Sequence, residues 1–225
     1  MGRDEAIAAI GALADPVRRR LYEYVATCDQ PVGREPAAEA LGIPVHSARF
    51  HLDRLVEEGL LEADYQRLSG RSGPGAGRPA KVYRRAAGEV SVSVPARGYD
   101  LVGRVFAAAV ERSLDGAPLA ESLAEEARAV GRSDGAGLGT SRSEDELRRT
   151  AQVLGERGYE PTRTGDTLVL HNCPFDALAR EHTALVCGVN HDYVSGVIEG
   201  LGCCHARAHL DPAEGRCCVL ISHEQ

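Results

Sequence analysis

Apolar residues recur at helical spacing from residue 4 to residue 27: Ile7, Ile10 and Leu13, then Val17, Leu21, Tyr24 and Val25. A repeat near 3.6 predicts an amphipathic helix. Asp15-Pro16 divides it, because Asp caps a helix start and Pro fits the first helical position. The stretch "CDQPVGREPAAEALGI" predicts a loop and then a short helix ending at Gly42. In "PVHSARFHLDRLVEEGLLEADY", Val45, Ala48, Leu52, Leu55 and Val56 form one apolar face, and Gly59 is a natural C-terminal stop. "LLEADYQRL" and "AKVYRRA" flank the Gly/Pro-rich "SGRSGPGAGRP". Two short strands around such a tip predict a β-hairpin.

Residues 88–100 are a mixed connector. "YDLVGRVFAAAVERSL" and "APLAESLAEEARAVGR" predict two helices, with a stripe of Leu101, Val105, Ala108, Ala109 and Leu114 on one and Leu119, Leu123 and Ala127 on the next. Glycine and serine crowd residues 132–144, which predicts a linker. From Glu144 onward the pattern changes to a helix (144–157), strands (160–163 and 167–171), helices (174–200) and two more strands (205–210 and 216–222). The expected class is α+β. Its three parts are residues 1–86, a connector with helices that pair two subunits (87–142), and a cysteine-rich domain (143–225).

Helix, helix, turn, helix and hairpin within about 80 residues is the order of a winged helix-turn-helix. Charge supports this reading locally. The net charge is −7, but residues 65–85 hold six basic residues and no acid. Local charge decides what a surface attracts. If Ala48, Leu52 and Leu55 point inward, His46, Ser47, Arg49, Phe50 and Arg54 are left for DNA. Arg49 is the expected base reader, since a guanidinium matches the guanine edge bidentately. On the hairpin, Arg67, Arg71, Arg78 and Lys81 are the expected backbone and minor-groove contacts. "ALADPVRRRLYEYV", "AAEALGI" and "SARFHLDRLVEEGLLE" resemble the ArsR-type bacterial repressors over about residues 5–86. The resemblance implies a double-stranded DNA target, and a homodimer reads a palindromic operator.

Six of the seven cysteines lie between Cys173 and Cys218, and six of the eight histidines between His171 and His223. No cysteine pair has the two-residue gap of a zinc knuckle, so any ligands must converge from separate elements. Thiolates favour zinc or iron–sulfur clusters. Uncomplexed thiol chemistry and plain buried cysteine are the alternatives. Side chains alternate along a strand, so Cys217 and Cys218 are expected to face opposite ways. Cys173, just before Pro174, is expected at a helix start.

"NCPF", "LVC" and "GRCC" resemble the sensor domain of the SufR family of iron–sulfur repressors. The resemblance implies a [4Fe–4S] cluster on Cys173, Cys187 and Cys217. Cys218 is the first choice for the fourth ligand, and Cys203, Cys204, His205 and His182 are alternates. Zinc is the alternative cofactor. Cys28 is read as core.

No apolar run approaches a membrane span, and the early acids do not suit a secretory signal. The expectation is a cytoplasmic protein that acts as a transcription regulator, a repressor in the sense of the families it resembles, and not as an enzyme; a metal-dependent thiol enzyme fused to a DNA-binding domain is the remote alternative.

Overall fold

The computed structural model describes residues 2–66, 79–137 and 145–224. The chain divides into two compact units, Met1–Val92 and Ser93–Gln225.

The first unit runs α1 (Arg3–Ala12), α2 (Pro16–Thr27), β1 (Val32–Gly33), α3 (Arg34–Leu41), α4 (Val45–Glu57), β2 (Leu61–Gln66) and β3 (Ala80–Arg85). The Asp15 carboxylate accepts from the amides of Val17 and Arg18, both at 2.9 Å, so α2 restarts where the sequence predicts. Gly42 takes φ +65° to end α3, and Gly59 takes φ +71° just past α4. The two-residue β1, which the sequence reading lacks, adds to β3 in a sheet of order β1-β3-β2. The hairpin register runs from Leu61 opposite Arg85 to Gln66 opposite Ala80. Leu21, Val25, Ala37, Leu52, Leu55, Leu61 and Tyr83 fill the core, and Cys28 packs against its edge. Most of the tip of this hairpin, residues 67–78, lies outside the described residues.

The second unit contains α5 (Tyr99–Leu114), α6 (Leu119–Ala136), α7 (Glu146–Glu156), β4 (Pro161–Thr164), β5 (Thr167–Leu170), α8 (Asp176–Glu181), α9 (Thr183–Gly200), β6 (Ala206–Leu210) and β7 (Val219–His223). Its sheet has order β4-β5-β7-β6 with antiparallel neighbours throughout. Helix and strand together make the chain α+β, as the sequence pattern predicts.

The helices assigned to subunit pairing bury much of their apolar stripe inside this unit: Leu101, Val105 and Ala127 share one core with Tyr193, Val197 and Ile221. Two expectations need correction. Residues 132–136, read as the start of a linker, are the last turn of α6. Gly131 and Gly135 there press against α9, where a Cβ would stand 2.1 Å from the Tyr193 carbonyl oxygen and 2.3 Å from that of Val197. Gly196 and Gly200 do the same from the α9 side. Glycine here serves a close approach of two helix backbones rather than flexibility. Finally, α8 begins at Asp176, so Cys173–Phe175 form a turn instead of a helix start. That turn is closed by the Asp176 amide on the Cys173 carbonyl at 3.1 Å.

Candidate nucleic-acid interface and candidate thiol centre

Ala48, Leu52 and Leu55 are fully buried and fix the rotation of α4. His46, Arg49, Phe50 and Arg54 therefore face outward, and Ser47 is half-buried near the helix start.

Asp53 organises the surface. Its carboxylate accepts from Lys81 Nζ at 2.7 Å and from the Tyr83 hydroxyl at 2.8 Å, and Arg49 Nε stands 3.6 Å away. Burial pushes the Asp53 carboxyl up, but the hydrogen bonds from Lys81 and Tyr83 outweigh it and hold the group below the usual aspartate range. Burial first, then Asp53, pushes the Tyr83 phenol up, so it stays a donor. This carboxylate bolts the wing strand β3 to α4. The sequence reading missed it; the signal available was its position one helical turn after Arg49.

The pairing sorts the candidate contacts. Lys81 is committed to Asp53, and Arg54 bridges to Glu57 at 3.1 Å and to Glu58. Arg49 has the loosest ion pair of the three and the most exposed side chain, at 63%. Arg67, Arg71 and Arg78 lie outside the described residues.

In the second unit, four of the cysteines come together. Cys173 follows β5, Cys187 lies on the first turns of α9, and Cys217 and Cys218 sit immediately before β7. The backbone explains the convergence. The Cys217 amide donates to the Leu170 carbonyl at 2.9 Å, extending the β5–β7 pairing toward Cys173. The loop at Cys173 is held by Asn172, whose amide donates to the carbonyls of Ala96 (2.9 Å) and Gly158 (2.5 Å). Arg97 clamps it from the other side, on the Asn172 side-chain oxygen at 2.6 Å and the Cys173 carbonyl at 3.3 Å.

Within the group, Cys217 is the shared hydrogen-bond acceptor. Hydrogen bonding from Cys173 and then Cys218 draws it far below the ordinary thiol range, against the effect of burial. Cys173 and Cys218 are pushed up chiefly by their bonds to Cys217, and Cys218 also engages Cys187. Cys217 and Cys218 thus share one site, contrary to the expected alternation. Both precede the strand, in the turn after Gly215 (φ +77°), where alternation does not apply.

The alternates lie elsewhere. Cys203 is beside Glu146 and Thr150 of α7, where burial pushes its thiol up. Cys204 is exposed, and the His205 ring stacks on that of His223 at 5.3 Å. His182 forms the break between α8 and α9. The amides of Cys204, His205 and Ala206 all donate to the Glu146 carboxylate, at 2.8–2.9 Å.

Four cysteines in one neighbourhood carry the donor chemistry of a thiophilic metal or an iron–sulfur cluster. As they stand, the thiols engage one another. Among the described residues, no group of three or more His, Cys, Asp or Glu side chains is spaced to hold a metal ion.

Residues 13–63 match the family described as Helix-turn-helix domain, a span that runs from the end of α1 through α4 into β2. No curated protein and no solved structure matches the chain. With α3 and α4 in place and the polar face of α4 turned outward, the match defines a DNA-binding helix-turn-helix domain. The chain is a DNA-binding transcriptional regulator. Among the described residues, no helix is long and apolar enough to cross a membrane.

Proposed function

We propose that the chain is a repressor whose operator binding is modulated by an iron–sulfur cluster held on Cys173, Cys187, Cys217 and Cys218. The observation that carries this reading is the meeting of four thiols from three separate segments of the second unit, with Cys217 accepting from Cys173 and Cys218. When bound, such a group supplies positive charge to the thiolates and a crosslink between the β5–α8 loop, α9 and the turn before β7. The chain's own residues prepare the site. Asn172 and Arg97 fix the Cys173 loop, and the Leu170 carbonyl fixes Cys217. A bound group shifts DNA affinity only through different contacts in the free and DNA-bound states.

Zinc is the second reading. Its support is the donor set itself, since four cysteines are a common ligand set of a tetrahedral zinc ion.

The regulator is read as a homodimer on a palindromic operator. With the predicted stripe largely buried, the apolar side chains left for pairing are Val110, Leu114 and Leu119, all exposed around the α5–α6 turn. Purification without oxygen tests the cofactor. Iron, sulfide and a visible absorption shoulder, lost in Cys173→Ser and Cys217→Ser, support the cluster. Stoichiometric zinc in a colourless protein supports the second reading, and full metal content in both variants rejects the site. Sedimentation of the same preparations reports the dimer, which Leu114→Glu should weaken.

A further inference from the structure

Beside the thiol centre lies a buried polar chain that the ligand reading leaves unused. Asn190, on α9, is fully buried, and so are its two partners. The Tyr159 hydroxyl donates to Asn190 Oδ1 at 2.6 Å. Asn190 Nδ2 in turn donates to Cys217 Sγ at 3.1 Å. A buried amide costs free energy unless its donors and acceptors are matched. A Val or Leu would fill this helical position in an apolar core without that cost. Tyr159 also fixes which way the amide points: burial pushes its phenol up, so the hydroxyl stays a donor and claims the carbonyl oxygen. That leaves the Asn190 NH2 group facing the sulfur, onto which one of its two N–H groups donates.

We propose that Asn190 is a positioning residue for the thiol centre, holding Cys217 in place and tuning its sulfur for a bound metal through an N–H···S hydrogen bond locked by Tyr159. The proposal rests on the reading of the four cysteines as metal ligands. A hydrogen bond to a thiolate stabilises its lone pairs and lowers its donation to a metal. Such outer partners orient ligands and set cluster potentials. Tyr159 lies before β4 and Asn190 on α9, so the chain also ties α9 to the turn that carries Cys217.

Cobalt(II) is a suitable probe, because its sulfur-to-metal charge-transfer band reports the sulfur's electron donation directly. The full chain, stripped of metal without oxygen, is titrated with cobalt(II) alone, reading Kd and band energy. The parent should bind with an intense near-ultraviolet band. Asn190→Leu should move that band to lower energy, because the sulfur lone pairs rise, and raise Kd by about tenfold or more, because Cys217 loses the partner that holds it in place. Tyr159→Phe, which keeps the donor but frees its orientation, should move both the same way by less. It also decides the matter if Asn190→Leu fails to fold. A higher Kd with an unmoved band in these variants means a merely structural role and overturns the proposal, as does an unchanged Kd. Either result leaves the metal reading standing. A parent chain that shows no cobalt band removes the metal reading, and this proposal with it.

Discussion

Arg49 projects from α4 with one loose ion pair, while Lys81 and Arg54 are held by carboxylates close by. Arg49→Ala should therefore weaken operator binding by roughly 1–3 kcal/mol and relax selectivity at one base position. Fluorescence anisotropy on the operator and on single-base variants checks this; binding as tight as the parent's would remove Arg49 as a base reader. A second expectation at this scale concerns Glu146. Burial pushes its carboxyl up, but the three amides of Cys204, His205 and Ala206 outweigh that and hold it below its ordinary value of 4.5. A depressed carboxylate stabilises the fold fully above its unfolded value and loses that contribution as pH falls through the folded value. Thermal unfolding of the parent should thus show a loss of stability below about pH 4.5, where a group of ordinary pKa would already be titrating. Glu146→Gln should be less stable at neutral pH and lack that part of the acid dependence. Residue identity made much of the thiol site legible, because few side chains can serve as soft ligands and most of the cysteines fall in one quarter of the chain. The fourth partner was harder. Strand alternation argued against Cys218, and only the turn after Gly215 shows that both neighbours precede β7. Asn190 was invisible, since a lone Asn in an apolar helix carries no spacing signal.

At the scale of elements, the packing of α6 on α9 depends on four glycines. Gly131→Ala places a methyl 2.1 Å from a backbone carbonyl oxygen, so the helices must move apart. The expected cost is roughly 1–3 kcal/mol, the usual range for overpacking. Chemical denaturation reads it directly, and an unchanged midpoint would mean that the two helices do not approach this closely. The helices and hairpin strands of the first unit, though not the two-residue β1, followed from apolar period, Asp15-Pro16, Gly42 and Gly59, because each of those signals acts locally. The end of α6 did not, because glycine marks loops in most sequences and only the partner helix reveals its use here. The stripe on α5 was likewise real but said nothing of what covers it: Leu101 and Val105 turn into their own unit, while Leu114 is 82% exposed.

For the whole molecule, a helix-turn-helix domain and a thiol-bearing α+β unit lie on one chain, and regulation requires that the state of one change the affinity of the other. Such coupling is reciprocal and commonly amounts to 1–3 kcal/mol, about 5–150-fold in Kd. Composition pointed to this division, through the acid-free hairpin and the late cysteines, but no sequence pattern reports a coupling energy. The direct measurement is the Kd of the full chain for an operator selected from random DNA, at fixed salt, before and after the bound metal or cluster is removed by a chelator. The account predicts a change of at least about fivefold, with Cys217→Ser fixed at the metal-free value whether or not the chelator is present. The same Kd in both states of the parent chain, with metal loss confirmed, would contradict it.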